Sequence, residues 1–252
     1  MNNESITKAA KIIQNSNYIV VFSGAGISTE SGIDDFRSPG GLWERYDPST
    51  YASYHYFLQD PSLFWKMQKE VDELIGVASP NKAHLIIAEL EKMGKVKAVI
   101  TQNIDMLHQK AGSGKYGARI YQLHGEYGTL HCVKCNKEFE FGEIDTKNVE
   151  YPVCDCSGYI KPKVVLFGES LPYGVVEGAM DECRQADCLI VVGSSLLISP
   201  ANYVPPTAKQ YGAQLIFINR ENTIMDDIAD IFLKGSAGEI FTKLLKEIKT
   251  NV

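Results

Sequence analysis

Several short stretches of this chain are apolar almost from end to end, and each stops at small or polar residues. Tyr18-Ile19-Val20-Val21-Phe22 runs into Gly24, Lys95 to Ile100 into Thr101-Gln102-Asn103, and Ile120 to Leu123 into His124. Val164 to Phe167 runs into Gly168-Glu169, Leu189 to Val192 into Gly193-Ser194-Ser195, Leu215 to Ile218 into Asn219-Arg220, and Asp230 to Leu233 into Gly235. A strand with no polar alternation is buried on both faces, as in a parallel sheet covered by helices. Stretches with helical spacing lie between the runs, over 4–15, 80–93, 173–186 and 235–248. Strands alternating with helices predict an α/β fold with a doubly wound parallel sheet. Ligands in such sheets bind beyond the carboxyl ends of the strands, where this chain puts its Gly, Ser, Asn, Gln and His.

The 252 residues fit one large domain with insertions, and 44% hydrophobic content is ample for its core. The net charge is −6, with Lys and Arg scattered, so no nucleic-acid footprint is expected. The N-terminal MNNESITKAAKIIQNSN lacks a basic start followed by a long apolar core, and no apolar run approaches the ~18 residues that cross a membrane. A soluble, cytoplasmic protein is expected. In a reducing compartment a C-x2-C pair points to metal rather than disulfides.

Three stretches interrupt the simple pattern. Gly24-Ala25-Gly26 resembles the first half of a dinucleotide fingerprint, in which backbone N–H groups approach a pyrophosphate, but Thr29 occupies the third glycine position. Strand-turn-helix junctions also carry glycine for geometry alone. A turn-rich loop follows instead of a continuing helix, and it places Asp35, Phe36 and Arg37 side by side. Residues 42–80 are rich in Tyr, Phe and Trp, as expected of the core of a helical insertion, with a helix start at Asp60-Pro61. Cys132 and Cys135, then Cys154 and Cys156, read as a structural zinc site. Its second pair is C-x-C, so His131 or Asp155 stands as a substitute ligand, while Cys183 and Cys188 read as buried thiols. His124 sits at a strand end, where a side chain with a pKa of ~6.5 moves protons near neutrality. A lone histidine is also a common core residue.

The ordered set Gly24-Ala25-Gly26-Ile27-Ser28, Gly32-Ile33-Asp34-Asp35-Phe36-Arg37, Thr101-Gln102-Asn103-Ile104-Asp105, His124-Gly125, the four cysteines, Phe167-Gly168-Glu169, Gly193-Ser194-Ser195-Leu196 and Ile218-Asn219-Arg220 resembles a sirtuin, an NAD-dependent protein lysine deacylase. The resemblance runs from about residue 5 to 248. It implies a Rossmann-type domain of residues 1–37, 81–127 and 162–252, a cofactor loop and helical module of 38–80, and a zinc-ribbon module of 128–161. NAD and acyl-lysine are expected in the cleft between them, with structural Zn2+ on Cys132, Cys135, Cys154 and Cys156. The implied dinucleotide residues are Gly24, Ala25, Gly26, Thr29, Asp35, Phe36, Arg37, Gln102, Asn103, Ile104, Asp105, His124, Gly193, Ser194, Ser195, Asn219, Arg220 and Ala237. Val165, Phe167, Gly168, Glu169 and Leu196 are implied for the acyl-lysine peptide.

His124, with Asn103 beside it, is the implied catalytic residue. The acyl oxygen attacks the ribose carbon as nicotinamide leaves, His124 takes a proton from a ribose hydroxyl, and lysine and O-acetyl-ADP-ribose are released. The implied partner is an acetylated lysine of a protein substrate, and the chain is expected to act as a monomer. Relatives that prefer succinyl or malonyl lysine resemble one another in a Tyr-x-x-Arg pair. Gln68 and Val71 stand at the best-aligned positions here, so uncharged acyl groups are expected. Two departures from the family pattern are Asp34, where many members have Pro, and the shortened second cysteine pair. A hydride-transferring dehydrogenase, an NAD-sensing module and a protein mono-ADP-ribosyltransferase are the competing readings. The last starts from the same loss of nicotinamide.

Overall fold

A computed structural model describes residues 3–34 and 40–250. In chain order the elements are α1 (Asn3–Asn15), β1 (Ile19–Ser23), two 3-10 turns (Ala25–Ile27 and Thr29–Ser31), α2 (Leu42–Arg45), α3 (Pro48–Tyr51), α4 (Tyr54–Gln59) and α5 (Pro61–Val77). Next come α6 (Lys82–Lys92), β2 (Val96–Thr101), α7 (Leu107–Ala111), β3 (Arg119–Gln122), β4 (Gly125–Cys132), β5 (Glu138–Glu140) and β6 (Ile160–Val164). The chain closes with α8 (Tyr173–Gln185), β7 (Cys188–Val192), α9 (Val204–Gln210), β8 (Gln214–Asn219), β9 (Ile231–Lys234) and α10 (Ala237–Thr250).

Six strands form one parallel sheet in the order β3-β2-β1-β7-β8-β9. The chain winds outward from β1 to β3, then returns to the other side of β1 and winds outward again from β7. The order therefore reverses between β1 and β7, which opens a crevice at their carboxyl ends. The continuous apolar runs follow from this placement. Within β1, Ile19 and Val21 face a core shared with α1, α6 and α10, while Val20 and Phe22 face one shared with α8 and α9. Cys183 and Cys188 are buried in the sheet's cores, and burial pushes both thiols up to about 12.

A third core belongs to the insertions. Helices α2 to α5 pack with an antiparallel sheet of order β5-β4-β6 around Phe57, Phe64, Trp65, Leu130 and Ile160. Trp65 Nε1 donates to the Ile160 carbonyl at 3.0 Å, which satisfies the one polar atom of a fully buried ring. The Asp60 carboxylate accepts the Ser62 amide and Pro61 sits in the first turn, so α5 starts where its sequence signal lies.

The strand expected over 164–167 is corrected to β6, Ile160–Val164. Lys161, Pro162 and Lys163 hid it, because a proline strand sits at a sheet edge, and β6 is the edge strand paired only with β4. β4 itself, α7 and α9 were also not foreseen. Among the described residues no helix is long and apolar enough to cross a membrane.

Candidate active site

One cleft of about 1280 Å³ lies at the β1/β7 crevice, between the parallel sheet and the insertions. A pocket for one small molecule spans ~300–1,000 Å³, so this one has room for a dinucleotide and a side chain from a second molecule. Gly24, Ala25, Gly26, Thr29, Gln102, Asn103, Ile104, Asp105, His124, Gly193, Ser194, Ser195, Asn219, Arg220 and Ala237 all line it. So do Val165, Phe167, Gly168 and Glu169. Leu196 differs, because its side chain is buried in the sheet core and does not face the cleft. Asp35, Phe36 and Arg37 lie outside the described residues.

The glycine turn owes its composition to a close crossing. Gly24 N donates to the Val192 carbonyl at 3.0 Å, and Gly26 N to the Gly193 carbonyl at 2.8 Å. A Cβ on Gly24 would stand 2.7 Å from the Gly193 oxygen, and one on Gly26 2.8 Å from the Gly193 Cα. Gly193 has φ +62°. The turn after β1 thus rests backbone to backbone on the turn after β7. Ala25 and Gly26 belong to a first short 3-10 turn and Thr29–Ser31 form a second, where a dinucleotide fingerprint would continue as a helix.

Polar side chains at the strand ends are locked to one another. Gln102 Nε2 donates to Ser194 Oγ at 2.9 Å, and Asn219 Nδ2 donates to the Ser194 carbonyl at 2.8 Å. Ser28 Oγ donates to Asp105 Oδ2 at 2.6 Å, and Asn103 Nδ2 to the Gly24 carbonyl at 3.2 Å. Ser28 was quoted in a motif without a role, and its cleft position comes from the Asp105 bond. Beneath this layer His84 and His108 are buried edge to face at 5.0 Å. Burial lowers His84 to about 4, partly offset by the Asp105 carboxylate.

His124 follows β3 and precedes β4, at the junction between the two parts of the fold. Its Nδ1 lies 2.9 Å from the Gln102 carbonyl oxygen, which can only accept. Nδ1 therefore carries the proton and Nε2 the lone pair. Burial pushes the pKa of His124 down, and the Gln102 bond moderates the shift, so the ring is neutral at pH 7. A neutral imidazole with its lone pair on Nε2, in the wall of a ligand-sized cleft, is a general base in form.

One branch of the cleft enters the helical module, where Phe64, Met67, Gln68, Val71 and Ile75 of α5 line it with Ile33 and Leu42. Gln68 is its polar member, and its Nε2 donates to Asp72 Oδ1 at 2.7 Å. Burial raises the pKa of Asp72. Gln68 and Val71 are the α5 positions expected to face the acyl group, and the structure puts both in the cleft lining, while Ile33 and Leu42 come from separate stretches of chain that nothing in the sequence joins to them.

The four cysteines meet, with their Sγ atoms all within 4.8 Å of one another. Cys132 and Cys156 Sγ are 3.5 Å apart, and Cys135 and Cys154 Sγ 3.7 Å. Zinc with Zn–S bonds of ~2.3 Å in a tetrahedron spaces its sulfurs by about 3.8 Å. The donors fit, and the C-x-C pair reaches without a substitute ligand. Asp155 points outward with its side chain 95% exposed.

Comparison with known proteins agrees with this geometry. The model of the Sir2 family matches residues 24–200. An NAD-dependent protein deacylase of Archaeoglobus fulgidus is 46% identical over 98% of this chain and 97% of its own. An NAD-dependent protein deacetylase of Caldivirga maquilingensis is 47% identical over 96% of this chain and 93% of its own. A solved Sir2 enzyme superimposes with a TM-score of 0.92 at 45% identity, covering 100% of both chains. A Sir2 protein solved with a myristoylated histone peptide superimposes with a TM-score of 0.83 at 41% identity, over 99% of this chain and 98% of that one. The six-stranded parallel sheet, the cysteine cluster and the match across most of its length establish that this chain belongs to the Sir2 family.

Proposed function

We propose that this protein removes uncharged acyl groups, acetyl and longer, from lysine side chains of other proteins. NAD is consumed, and nicotinamide and O-acyl-ADP-ribose are released. The observation that carries the reading is the state of His124, a neutral base whose tautomer is fixed by the Gln102 carbonyl. A hydride-transferring enzyme needs no such base. When bound, NAD supplies an electrophilic ribose carbon and nicotinamide as leaving group.

The chain's residues divide the remaining work. The turn of Gly24, Ala25, Gly26 and Thr29 receives the phosphates with Ser194 and Ser195. Asn219, Arg220 and Ala237 border the adenosine half. Asn103, Asp105 and Ser28 form one hydrogen-bonded group beside the nicotinamide ribose. His124 takes a proton from a ribose hydroxyl, which then attacks the acyl carbon. Val165 and Phe167 line the acyl-lysine channel, and the backbone at Gly168 and Leu196–Leu197 receives the peptide as an added strand. The cleft walls keep water from the reacting carbon. Zinc on four thiolates has no open position and is structural.

The apolar branch along α5 favours long uncharged acyl chains as well as acetyl, while Gln68 and the Asp72 behind it give an acyl carboxylate no cation and Arg45, which lines the same cleft, is already paired with Glu70. The described residues of the site all come from one chain, which supports a monomer at work in a reducing, cytoplasmic setting. Mass spectrometry of an acetyl-lysine peptide incubated with and without NAD tests the proposal. NAD-dependent loss of acetyl with formation of O-acetyl-ADP-ribose is expected, and deacetylation without NAD would overturn it.

A further inference from the structure

Lys161 is an unusual charge. It lies on β6, yet its side chain is only 2% exposed. A buried ammonium must be paired. Lys161 Nζ donates to the Val164 carbonyl at 2.7 Å and stands 3.0 Å from Glu169 Oε2. Burial lowers its pKa, and Glu169 pulls it back up. The same Glu169 oxygen accepts the Leu166 amide at 2.8 Å, while the Glu169 amide donates to the Leu166 carbonyl at 3.0 Å. Gly168, with φ +92°, supplies the left-handed residue that this tight turn requires.

Lys161 thus grips a loop at both ends: at Val164, where the strand stops, and at Glu169, where the turn closes. The residues between, Val165 and Phe167, are in the cleft wall. Their other side is braced by backbone bonds, Val165 N to the His124 carbonyl at 2.8 Å and Phe167 N to the Ala52 carbonyl at 2.8 Å. A buried ion pair adds little net stability over a well-packed apolar pair. A fixed shape is what it adds instead.

We infer that Lys161 is a positioning residue for the acyl-lysine substrate, holding Val165 to Gly168 in the form that receives the chain. This rests on the deacylase reading above. The Lys161 ammonium bonds to Val164 and Glu169 and not to the glycine turn, so its effect separates from NAD binding.

The test is Lys161→Met, which keeps length and removes charge, read in two ways. In steady-state kinetics KM for an acetyl-lysine peptide rises ~10-fold, equivalent to about 1.4 kcal/mol, while KM for NAD stays within about 2-fold. In the ligand-free protein the Leu166 and Glu169 amides exchange faster with deuterium, and those of the Rossmann sheet do not. Glu169→Gln keeps an acceptor for Leu166 and leaves Lys161 on Val164. It moves both readouts the same way by less, and it stands in if the Met variant does not fold. An unchanged peptide KM overturns the inference, as does a parallel rise in both KM values. A wild-type protein without NAD-dependent turnover would refute the deacylase reading, and with it a substrate role for Lys161, whatever the exchange data say about the loop.

Discussion

Gly26→Ala tests whether the glycine turn is set by its crossing with Gly193. The added Cβ would stand 2.8 Å from the Gly193 Cα and 2.9 Å from its oxygen, where ordinary contact begins at 3.4 Å. Both neighbours are backbone inside the sheet crevice, so no side chain can swing away. The turns must separate by about 0.6 Å, on the order of the shift that overpacking forces at a cost of ~1–3 kcal/mol. Separation also strains the 2.8 Å bond from Gly26 N to the Gly193 carbonyl. A weakened hydrogen bond adds ~0.5–1.5 kcal/mol.

The total of about 2–4 kcal/mol divides between folding and cofactor affinity, because the same turn lines the cleft. If half falls on each, NAD binds ~5- to 30-fold more weakly and Tm drops by about 2–8 °C. Titration calorimetry with NAD and a thermal melt of the same preparation measure both. Gly32→Ala is the control, because it has φ +82° but nothing within 4 Å of its Cβ, and so carries backbone strain alone. Wild-type NAD affinity and an unchanged melt for Gly26→Ala would refute the reasoning. An equal loss of NAD affinity in Gly32→Ala would refute it too.

His124→Ala is expected to lower turnover by ~10²–10⁴ with NAD affinity kept, measured by steady-state kinetics and calorimetry. His124 must be neutral to act and its pKa is lowered in the free protein, so kcat/KM in wild type falls only as pH drops through a value below 6.5. A midpoint at or above 6.5 contradicts this assignment. His84 is held neutral at about 4 against 6.5 when unfolded, so its contribution to stability is complete above pH 6.5 and is lost as pH falls toward 4. Denaturant melts across that range should show the decline, and His84→Gln should lessen it, leaving the part that comes from burial of neutral His108. Stripping zinc with a chelator should unfold the module around β4 to β6, and Cys156→Ser should lower the metal content, both read by metal analysis and circular dichroism. Acetyl-lysine and myristoyl-lysine versions of one peptide should be processed far better than the succinyl version. Efficient desuccinylation would mean that a cation reaches the acyl branch despite Gln68 and Asp72.

The parallel sheet was legible because both faces of its strands are covered, which forces runs such as Leu189 to Val192 to be apolar throughout. The strand ends were legible for a related reason, since Gln102, Asn103, His124, Ser194 and Asn219 have no packing role to explain them. β6 was hidden by Lys161, whose charge is neutralised by a partner eight positions later. Periodicity cannot see such a pair. The crossing of Gly24 and Gly26 over Gly193 joins residues far apart in the chain, so the sequence offered phosphate binding and turn geometry as equal reasons for these glycines and could not name the partner that makes the steric demand. Gln68 and Val71 of the α5 branch were within reach through the family resemblance, whereas Ile33 and Leu42 were not, because they become neighbours of Val71 only after α5 has docked.

The chain leaves the Rossmann sheet at Gly125 and comes back at Val164, and those two residues are paired with each other. Gly125 has φ +80°, and a Cβ there would fall on the Lys163 carbonyl, so the outgoing and returning strands pass as closely as backbones allow. Everything between them, the zinc ribbon included, is a side trip that departs and arrives at one address. Its length can therefore vary from one relative to another without shifting the position of His124. The pairing that closes the excursion also ties His124 to the cleft wall, through the bond from Val165 N to the His124 carbonyl at 2.8 Å. His124 itself stays with the parallel sheet, anchored by its Nδ1 bond to the Gln102 carbonyl and by the buried Leu123 before it, so a swing of the small module would move the cleft wall against an imidazole that keeps its place.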